Sequence, residues 1–581
     1  MQSGMMVDDE ADPLEGIRLA AGAADKAMLE RRPLDAIAHY EAALRLPEAA
    51  SLDVRPVLLG NLGHALLAAG CQRQALAVFQ QTVALTPSSS LAQRNLGDAQ
   101  AALGQLENAA RAYAASIALD PHSKDWLALT RLGNTLMALG RRDLAIPHYR
   151  NAAALRPNDP GVLRNLGNAL LGASQLEEAE QVLTAALNLA PNSPEALNSF
   201  GSLSLRLHRL DAAETAFTRA LELDPHSVET LTNLGTLEMR HRRSDTAAEY
   251  YLRALELQPQ SAAVHYNLGL CCLQQGDYNR GWSELEWRSA VVDGGIRRQQ
   301  LAQPQWRGKP LNGATILLHA EQGFGDTIQF ARYIPLVAGH GSKVILQVQP
   351  ELVRLLRHNL KGIEVVGVGD PLPEFHWQCS LMSLPLAFKT RLETIPSPGG
   401  YLSANPADVA RMFAAWPRDR SKLRVGLTWS GSPGNRNNAL RSIPLDTLLE
   451  ACKPSAAHVD LFSLQQGKAG EISPASPIQD ACRTCKDFAD TAALIETLDL
   501  VIAVDTAVAH LAGAMGKPVW VLLSDVSDWR WLDDRDDSPW YASARLFRQR
   551  IPGDWPELSQ RLSSALKVWV AKSFRDQSRS R

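Results

Sequence analysis

NLGHALLAAGCQRQALAVFQQTVALTP, Asn61 to Pro87, sets a pattern that governs the first half of this chain. Its Leu62-Gly63 pair returns as Leu96-Gly97, Leu132-Gly133, Leu166-Gly167, Phe200-Gly201, Leu234-Gly235 and Leu268-Gly269, in steps of 34 residues with one of 36. Twelve residues after each of the first six glycines stands an alanine, from Ala75 to Ala247. Four residues further comes a large apolar one, such as Phe79, Tyr113, Leu183 or Tyr251, and eight beyond that a proline. Glycine and alanine let two antiparallel helices approach, and the large residue fills the gap between them. Proline ends the second helix because it has no amide hydrogen and disfavours helix in the residue before it. Helix pairs stacked in this way bury a continuous core and leave a concave face.

Period and pattern together resemble the tetratricopeptide repeat. The resemblance implies a groove for an extended polypeptide. Asn95, Asn165, Asn198, Asn233 and Asn267, with Asn61, recur near the starts of the first helices and are expected to hold the peptide backbone, since an amide both donates and accepts. Most other repeat residues are expected to pack. Ala27 to Pro47 reads as a degenerate leading repeat acting as a cap, with Ala36, Tyr40 and Ala43 at the expected offsets and Ala24 in the glycine position. The expected division is a tail and leading helix over 1–26, an all-α solenoid of about seven to eight repeats over 27–290 and a connection over 291–312. In GDYNRGWSELEWR, Gly276 to Arg288, Trp282 and Trp287 are expected to weld the last helix onto the next domain.

From Ala314 short apolar runs alternate with helix-length segments. ATILLHAE, KVILQVQ and IEVVGVG read as buried strands, with TIQFARYIPLVAGHG and PELVRLLRHNL as crossing helices. The pattern restarts with LRVGLTW, VDLFSLQQ, DLVIAVD and PVWVLL as strands and TAALIETL and TAVAHLAGAMG as helices. Alternating βα units mean parallel sheets, here in two Rossmann-like lobes over 313–400 and 401–570, with a frayed tail over 571–581. A ligand is expected where strand C-termini meet helix N-termini.

Three such loops carry polar residues. QGFGDT, Gln322 to Thr327, lacks the third glycine of a dinucleotide fingerprint; Gly323 and Gly325 allow close backbone approach, and Asp326 either caps the following helix or acts chemically. TWSGSPGNRNNALRSIP, Thr428 to Pro444, offers Thr428, Ser430, Gly431, Arg436 and Arg441, which suit a diphosphate, and Gln465 follows the next strand. AVDTAVAHLAGAMGKP sets Asp505 and Thr506 at a strand end and His510 one helical turn on, either facing a ligand or buried and satisfied.

The GD loop together with DTAVAHLAGAMGKPVWVLL resembles the heptosyltransferase-like glycosyltransferases of the GT-B fold, over roughly Ala314 to Leu566. The whole chain resembles bacterial proteins that fuse tetratricopeptide repeats to such a domain, a layout similar to O-GlcNAc transferase with different motifs. The resemblance implies inverting, metal-independent transfer from a nucleotide-diphospho-sugar, with no cofactor. It also implies that Asp326 is the general base and that Thr428, Ser430 and the Asp505 to His510 loop hold the donor. NRNNALRS stands where the heptosyltransferases would carry a lysine-bearing segment, and the sugar and base of the donor stay open. Asp534 and Asp536 form a DxD match that reads as a solvated acidic turn.

Composition narrows the alternatives. A net charge of -3 without a long basic block argues against nucleic acid as partner. The acidic start lacks a signal peptide's basic and apolar regions, and the longest apolar stretch carries Asp499, Asp505, His510 and Lys517, so a cytoplasmic protein without a transmembrane segment is expected. Seven scattered cysteines suit a reducing compartment, and the lone Cys482-Cys485 pair lacks the second pair that tetrahedral zinc would need. Three functions remain. They are a glycosyltransferase acting on a polypeptide recruited by the repeats, a repeat scaffold with a degenerate glycosyltransferase domain, and a lipopolysaccharide glycosyltransferase.

Overall fold

A computed structural model describes residues 14–51, 53–120, 125–291, 301–396, 399–432 and 438–579. Residues 1–13 of the expected N-terminal tail, residues 292–300 of the 291–312 connection and Arg436 lie outside the described residues. The chain forms two compact units, Met1–Thr230 and Leu231–Arg581.

The first unit consists of paired antiparallel helices, opening with Glu15–Leu29 and Pro33–Arg45 and continuing through Pro194–Arg206 and Leu210–Leu223. The period follows from packing. A Cβ on Gly97 would lie 2.6 Å from the Tyr113 ring, and one on Gly167 would lie 2.4 Å from Leu183. The alanines twelve residues on from the glycines, Ala75, Ala109, Ala145, Ala179 and Ala213, are fully buried. The tyrosine hydroxyls reach back to the residue after the glycine: Tyr113 donates to Asp98 at 2.7 Å and Tyr149 to Asn134 at 2.6 Å. Tyr40 makes the same bond to Asp25. The leading repeat therefore begins at Glu15, and the boundary expected at residue 27 falls inside its first helix, where Ala24 takes the glycine position against Tyr40. Gly97→Ala is expected to lower local stability by about 1–3 kcal/mol through overpacking, seen as faster amide exchange in helices Ser90–Ala102 and Leu106–Leu119.

The last repeats, Val228–Arg240 with Ser244–Leu257 and Ala262–Gln275 with Tyr278–Leu285, belong to the second unit from Leu231 onward. Gly281 replaces the usual alanine because a Cβ there would lie 2.7 Å from Leu273. Trp282 does join this repeat to the α/β region. It is 2% exposed, donates through Nε1 to the Thr390 carbonyl at 3.0 Å and meets Trp529 edge-on with centroids 5.3 Å apart. Trp287 instead stacks on His265 of the same repeat at 4.2 Å. The second weld is Tyr278, whose hydroxyl accepts from Trp540 Nε1 at 2.9 Å.

The α/β region holds two wholly parallel sheets. The first, ordered β3-β2-β1-β4, comprises β1 (Thr315–His319), β2 (Lys343–Val348), β3 (Glu364–Gly367) and β4 (Trp377–Ser380). The second, ordered β10-β9-β8-β5-β6-β7, comprises β5 (Leu423–Thr428), β6 (Val459–Ser463), β7 (Ile478–Gln479), β8 (Leu500–Val504), β9 (Val519–Leu523) and β10 (Ala544–Arg548). From β5 the chain winds outward through β6 and β7, then returns to β8 and winds the other way. The crevice between β5 and β8 is thus a topological switch point, where ligands bind in such sheets.

Two expected elements differ. TIQFARYIPLVAGHG is not one helix: it breaks into Phe324–Phe330, a 3-10 turn Ala331–Tyr333 and Ile334–Ala338, because Pro335 cannot continue the first helix's hydrogen bonding. The tail expected to fray from residue 571 continues the helix Trp555–Arg579, anchored by Phe574, which packs on the second lobe's core and meets His458 edge-on at 5.8 Å.

Candidate functional site

The turn after β1 brings Gly323, Gly325 and Asp326 to the start of helix Phe324–Phe330. The Gly323 amide donates to Asp326 Oδ2 at 3.0 Å, so the carboxylate does cap its helix. Gly325 makes the close approach its type allows: a Cβ there would lie 2.7 Å from His510 Cδ2 on helix Ala507–Ala514. The two lobes thus meet where the Asp326 and His510 helices begin. Arg332 and Arg354 strengthen the junction, the first donating to the Trp540 carbonyl at 2.9 Å and the second to Asp487 at 2.7 Å.

Asp326 Oδ1 accepts from Arg530, which the sequence reading missed. Arg530 also donates to Asp528 at 2.7 Å and to Gln329 at 2.6 Å. It lies in the turn Trp529–Trp531, just before the Asp534 and Asp536 match read as a solvated acidic turn. A signal was present in DWRW, where a lone cation sits between two large aromatics. Burial raises the Asp326 pKa, with Asp528 adding to the effect, while Arg530 and the Gly323 amide oppose it.

His510 is buried, its Nδ1 2.9 Å from the Tyr541 hydroxyl and its Nε2 3.8 Å from Asp505. Burial, aided by Arg530, Arg332 and Arg441, holds its pKa well below the usual range, so the ring is neutral at pH 7. Burial, with the neighbouring Asp528, pushes Asp505 up to about 6.

At the switch point, Thr428 ends β5 and pairs with Ala503 of β8, so the Thr428 and Asp505–Thr506 loops lie side by side. Thr428 Oγ1, Thr506 Oγ1 and Arg441 Nε are buried and have no hydrogen-bond partner among the described residues. Two hydroxyls and a guanidinium nitrogen of this kind, left without partners beside the switch point, are a donor set of the chemistry that fits a diphosphate. Arg441 lies over Gly431, where a Cβ would come 2.5 Å from its guanidinium. Ser430 Oγ takes a hydrogen bond from Ser442 at 3.1 Å. Gln465 sits behind the loop: its Oε1 accepts from the Trp429 and Ser430 amides at 3.2 and 3.0 Å, which fixes the loop's shape.

The asparagines lie on the first helices of their pairs. In the first unit Asn95 and Asn198 are buried, and Asn165 donates to Asn134 at 3.4 Å. In the second unit Asn233 and Asn267 are half-buried. The Asp534 and Asp536 side chains are exposed, and Asp534 pairs with Arg242 at 2.9 Å. Cys482 and Cys485 are free thiols, and no group of side chains suited to a metal ion occurs among the described residues.

Residues 484–557 match the family model described as glycosyltransferase family 9 (heptosyltransferase), and residues 89–286 match one described as the cilia and flagella-associated protein 70 C-terminal domain. The first match takes in Asp505, Thr506, His510, Asp528 and Arg530. Among curated proteins the chain is 26% identical over 325 residues to Protein FlbA of Caulobacter vibrioides, covering 52% of this chain and 54% of that protein. The chain thus spans about half the length of the curated relative it matches. Among solved structures, a tetratricopeptide repeat protein from Parabacteroides merdae is similar at 14% identity and TM-score 0.38, covering 44% of this chain and 99% of its own. The Cut9–Hcn1 hetero-tetramer of APC/C is similar at 21% identity and TM-score 0.37, covering 48% and 54%. By its own helix pairs, its two parallel sheets and the family model matched over residues 484–557, the chain joins a tetratricopeptide-type helical domain to an α/β region of GT-B form that carries a glycosyltransferase family 9 match. No described helix is long and apolar enough to cross a membrane.

Proposed function

We propose that the protein is an inverting, metal-independent glycosyltransferase that moves a sugar from a nucleotide-diphospho-sugar to a hydroxyl of a polypeptide held by the repeats. The observation that carries this reading is the trio of partnerless buried groups, Thr428 Oγ1, Thr506 Oγ1 and Arg441 Nε, in the lobe facing Asp326. The donor's diphosphate lies against that trio. The acceptor oxygen attacks the anomeric carbon, and the carbon–oxygen bond to the diphosphate breaks with its electron pair leaving on the nucleoside diphosphate. Asp326 takes the acceptor's proton. Hydrogen-bond donors fixed in advance around the leaving diphosphate lower the barrier without reorganisation. Of the repeat asparagines, the half-buried Asn165, Asn233 and Asn267 bind the acceptor backbone, whereas Asn95 and Asn198 are buried and pack within the repeats, and the sugar transfer takes place in the cytoplasm.

A panel of UDP-, GDP-, ADP- and dTDP-hexoses, read by thermal shift and by release of nucleoside diphosphate, tests this. One donor at 100 times its Kd is expected to add about 2.7 kcal/mol of stability and to be turned over slowly by water. A panel in which no donor binds or turns over would leave the repeat scaffold as the function.

A further inference from the structure

Asp326 has both carboxylate oxygens engaged, Oδ2 by the Gly323 amide and Oδ1 by Arg530. The geometry around Arg530 is that of a fixed rather than a searching side chain. Its Nε donates to Gln329 of the Asp326 helix, its Nη1 to Asp528 and its Nη2 to Asp326, while the Trp529 ring lies 4.4 Å from the guanidinium carbon. Arg530 is 6% exposed and Gln329 fully buried. The cation therefore comes from one lobe and its two further anchors from the other, at the residue proposed to take the proton.

We propose that Arg530 is a positioning residue for the transfer: it fixes the Asp326 carboxylate in orientation and keeps it charged when the lobes are together, an inference that rests on Asp326 being the base. A carboxylate partly withdrawn from water beside a second carboxylate would otherwise tend to hold its proton and accept one poorly. Burial and Asp528 act in that direction on Asp326, and Arg530 acts against them. The arginine touches no reacting atom. Its effect is to let the acceptor's proton pass to Asp326 at neutral pH.

The other titratable groups facing this carboxylate do not substitute for it. His510, on the helix packed against Gly325, is neutral. Tyr266, on helix Ala262–Gln275, is near enough to feel Asp326, Asp528 and Arg530, and its hydroxyl pKa is raised, chiefly by burial. Glu321, earlier in the same loop, is tied to Arg288 at 2.9 Å. Asp505 is a second acid rather than a cation.

The test is the pH profile of kcat/KM for nucleoside diphosphate release from the panel of UDP-, GDP-, ADP- and dTDP-hexoses, measured on the full chain with Arg530→Gln, Arg530→Lys, Asp528→Asn and Asp326→Asn. Arg530→Gln is expected to move the acid limb up by about 1–3 pH units, the range by which a neighbouring cation depresses a carboxylate. Arg530→Lys restores most of that shift. Asp528→Asn removes the competing carboxylate and moves the limb the other way, toward lower pH. Opposite signs from two neighbours are not what a purely structural role would give. Should Arg530→Gln fail to fold, Asp528→Asn carries the sign by itself, since its side chain is 36% exposed and tolerates change. An unmoved limb in Arg530→Gln, or no downward shift in Asp528→Asn, overturns the proposal while leaving Asp326 as base. Turnover surviving in Asp326→Asn, or no donor turned over by the unsubstituted protein, overturns the functional reading instead and this inference with it.

Discussion

Asp326→Asn is expected to cut nucleoside diphosphate release by about 10²- to 10⁴-fold, the usual contribution of a general base, while leaving the folded protein nearly as stable as before. The two effects separate because the residue holds two positions at once. As the third residue of its helix it accepts from the Gly323 amide, a bond an asparagine oxygen can also accept. As a carboxylate it pairs with Arg530, which keeps Asp528 and Gln329 as partners after the change, so no buried cation is stranded. A cap-only role would leave turnover unchanged in Asp326→Asn. Asp326→Ala removes both contributions, and its excess loss of melting temperature over Asp326→Asn measures the cap. Donor binding, read by thermal shift, is expected to persist in both variants because the partnerless hydroxyls and Arg441 belong to the other lobe.

The repeats were legible from the sequence because their packing uses the same residue types at the same spacing. A glycine facing an aromatic at a would-be 2.6 Å leaves no choice of residue, so contact geometry is written into the period. The central strands β1, β2, β5, β6, β8 and β9 were legible for a related reason, being buried apolar runs. The edge strand β3, EVVG, was legible in the same way, but the other three edge strands were not. β4 reads WQCS, β7 is two residues long, and β10, ARLFR, interleaves exposed and buried positions, so none has the continuous apolar signature. At the site, Asp326, Thr428, Thr506 and His510 stood out because they end strands or open helices. Arg530 did not, for its function depends on partners some 200 positions away, and no local pattern encodes the meeting of Arg530 with Asp326.

Trp282→Ala should lower the unfolding free energy of the second unit by about 3–5 kcal/mol. The indole is buried against Tyr278, Trp529 and Trp540, with ring centroids 5.1, 5.3 and 6.3 Å away, and its N–H satisfies the Thr390 carbonyl. Alanine would leave a cavity the size of an indole among rings that cannot all collapse into it, together with a carbonyl missing its donor. Trp287→Ala offers the control, since its partly exposed stack on His265 is worth about 0.5–1.5 kcal/mol and lies within one repeat. Denaturant unfolding followed by tryptophan emission, with amide exchange in helix Tyr278–Leu285 and in the turn Trp529–Trp531, distinguishes them. Trp282→Ala is expected to loosen both elements together, because one indole spans them. The consequence reaches the site, for that turn carries Arg530: donor turnover should fall in Trp282→Ala even at temperatures where the protein remains folded, and equal losses from both tryptophan variants would contradict the assignment of Trp282 as the weld.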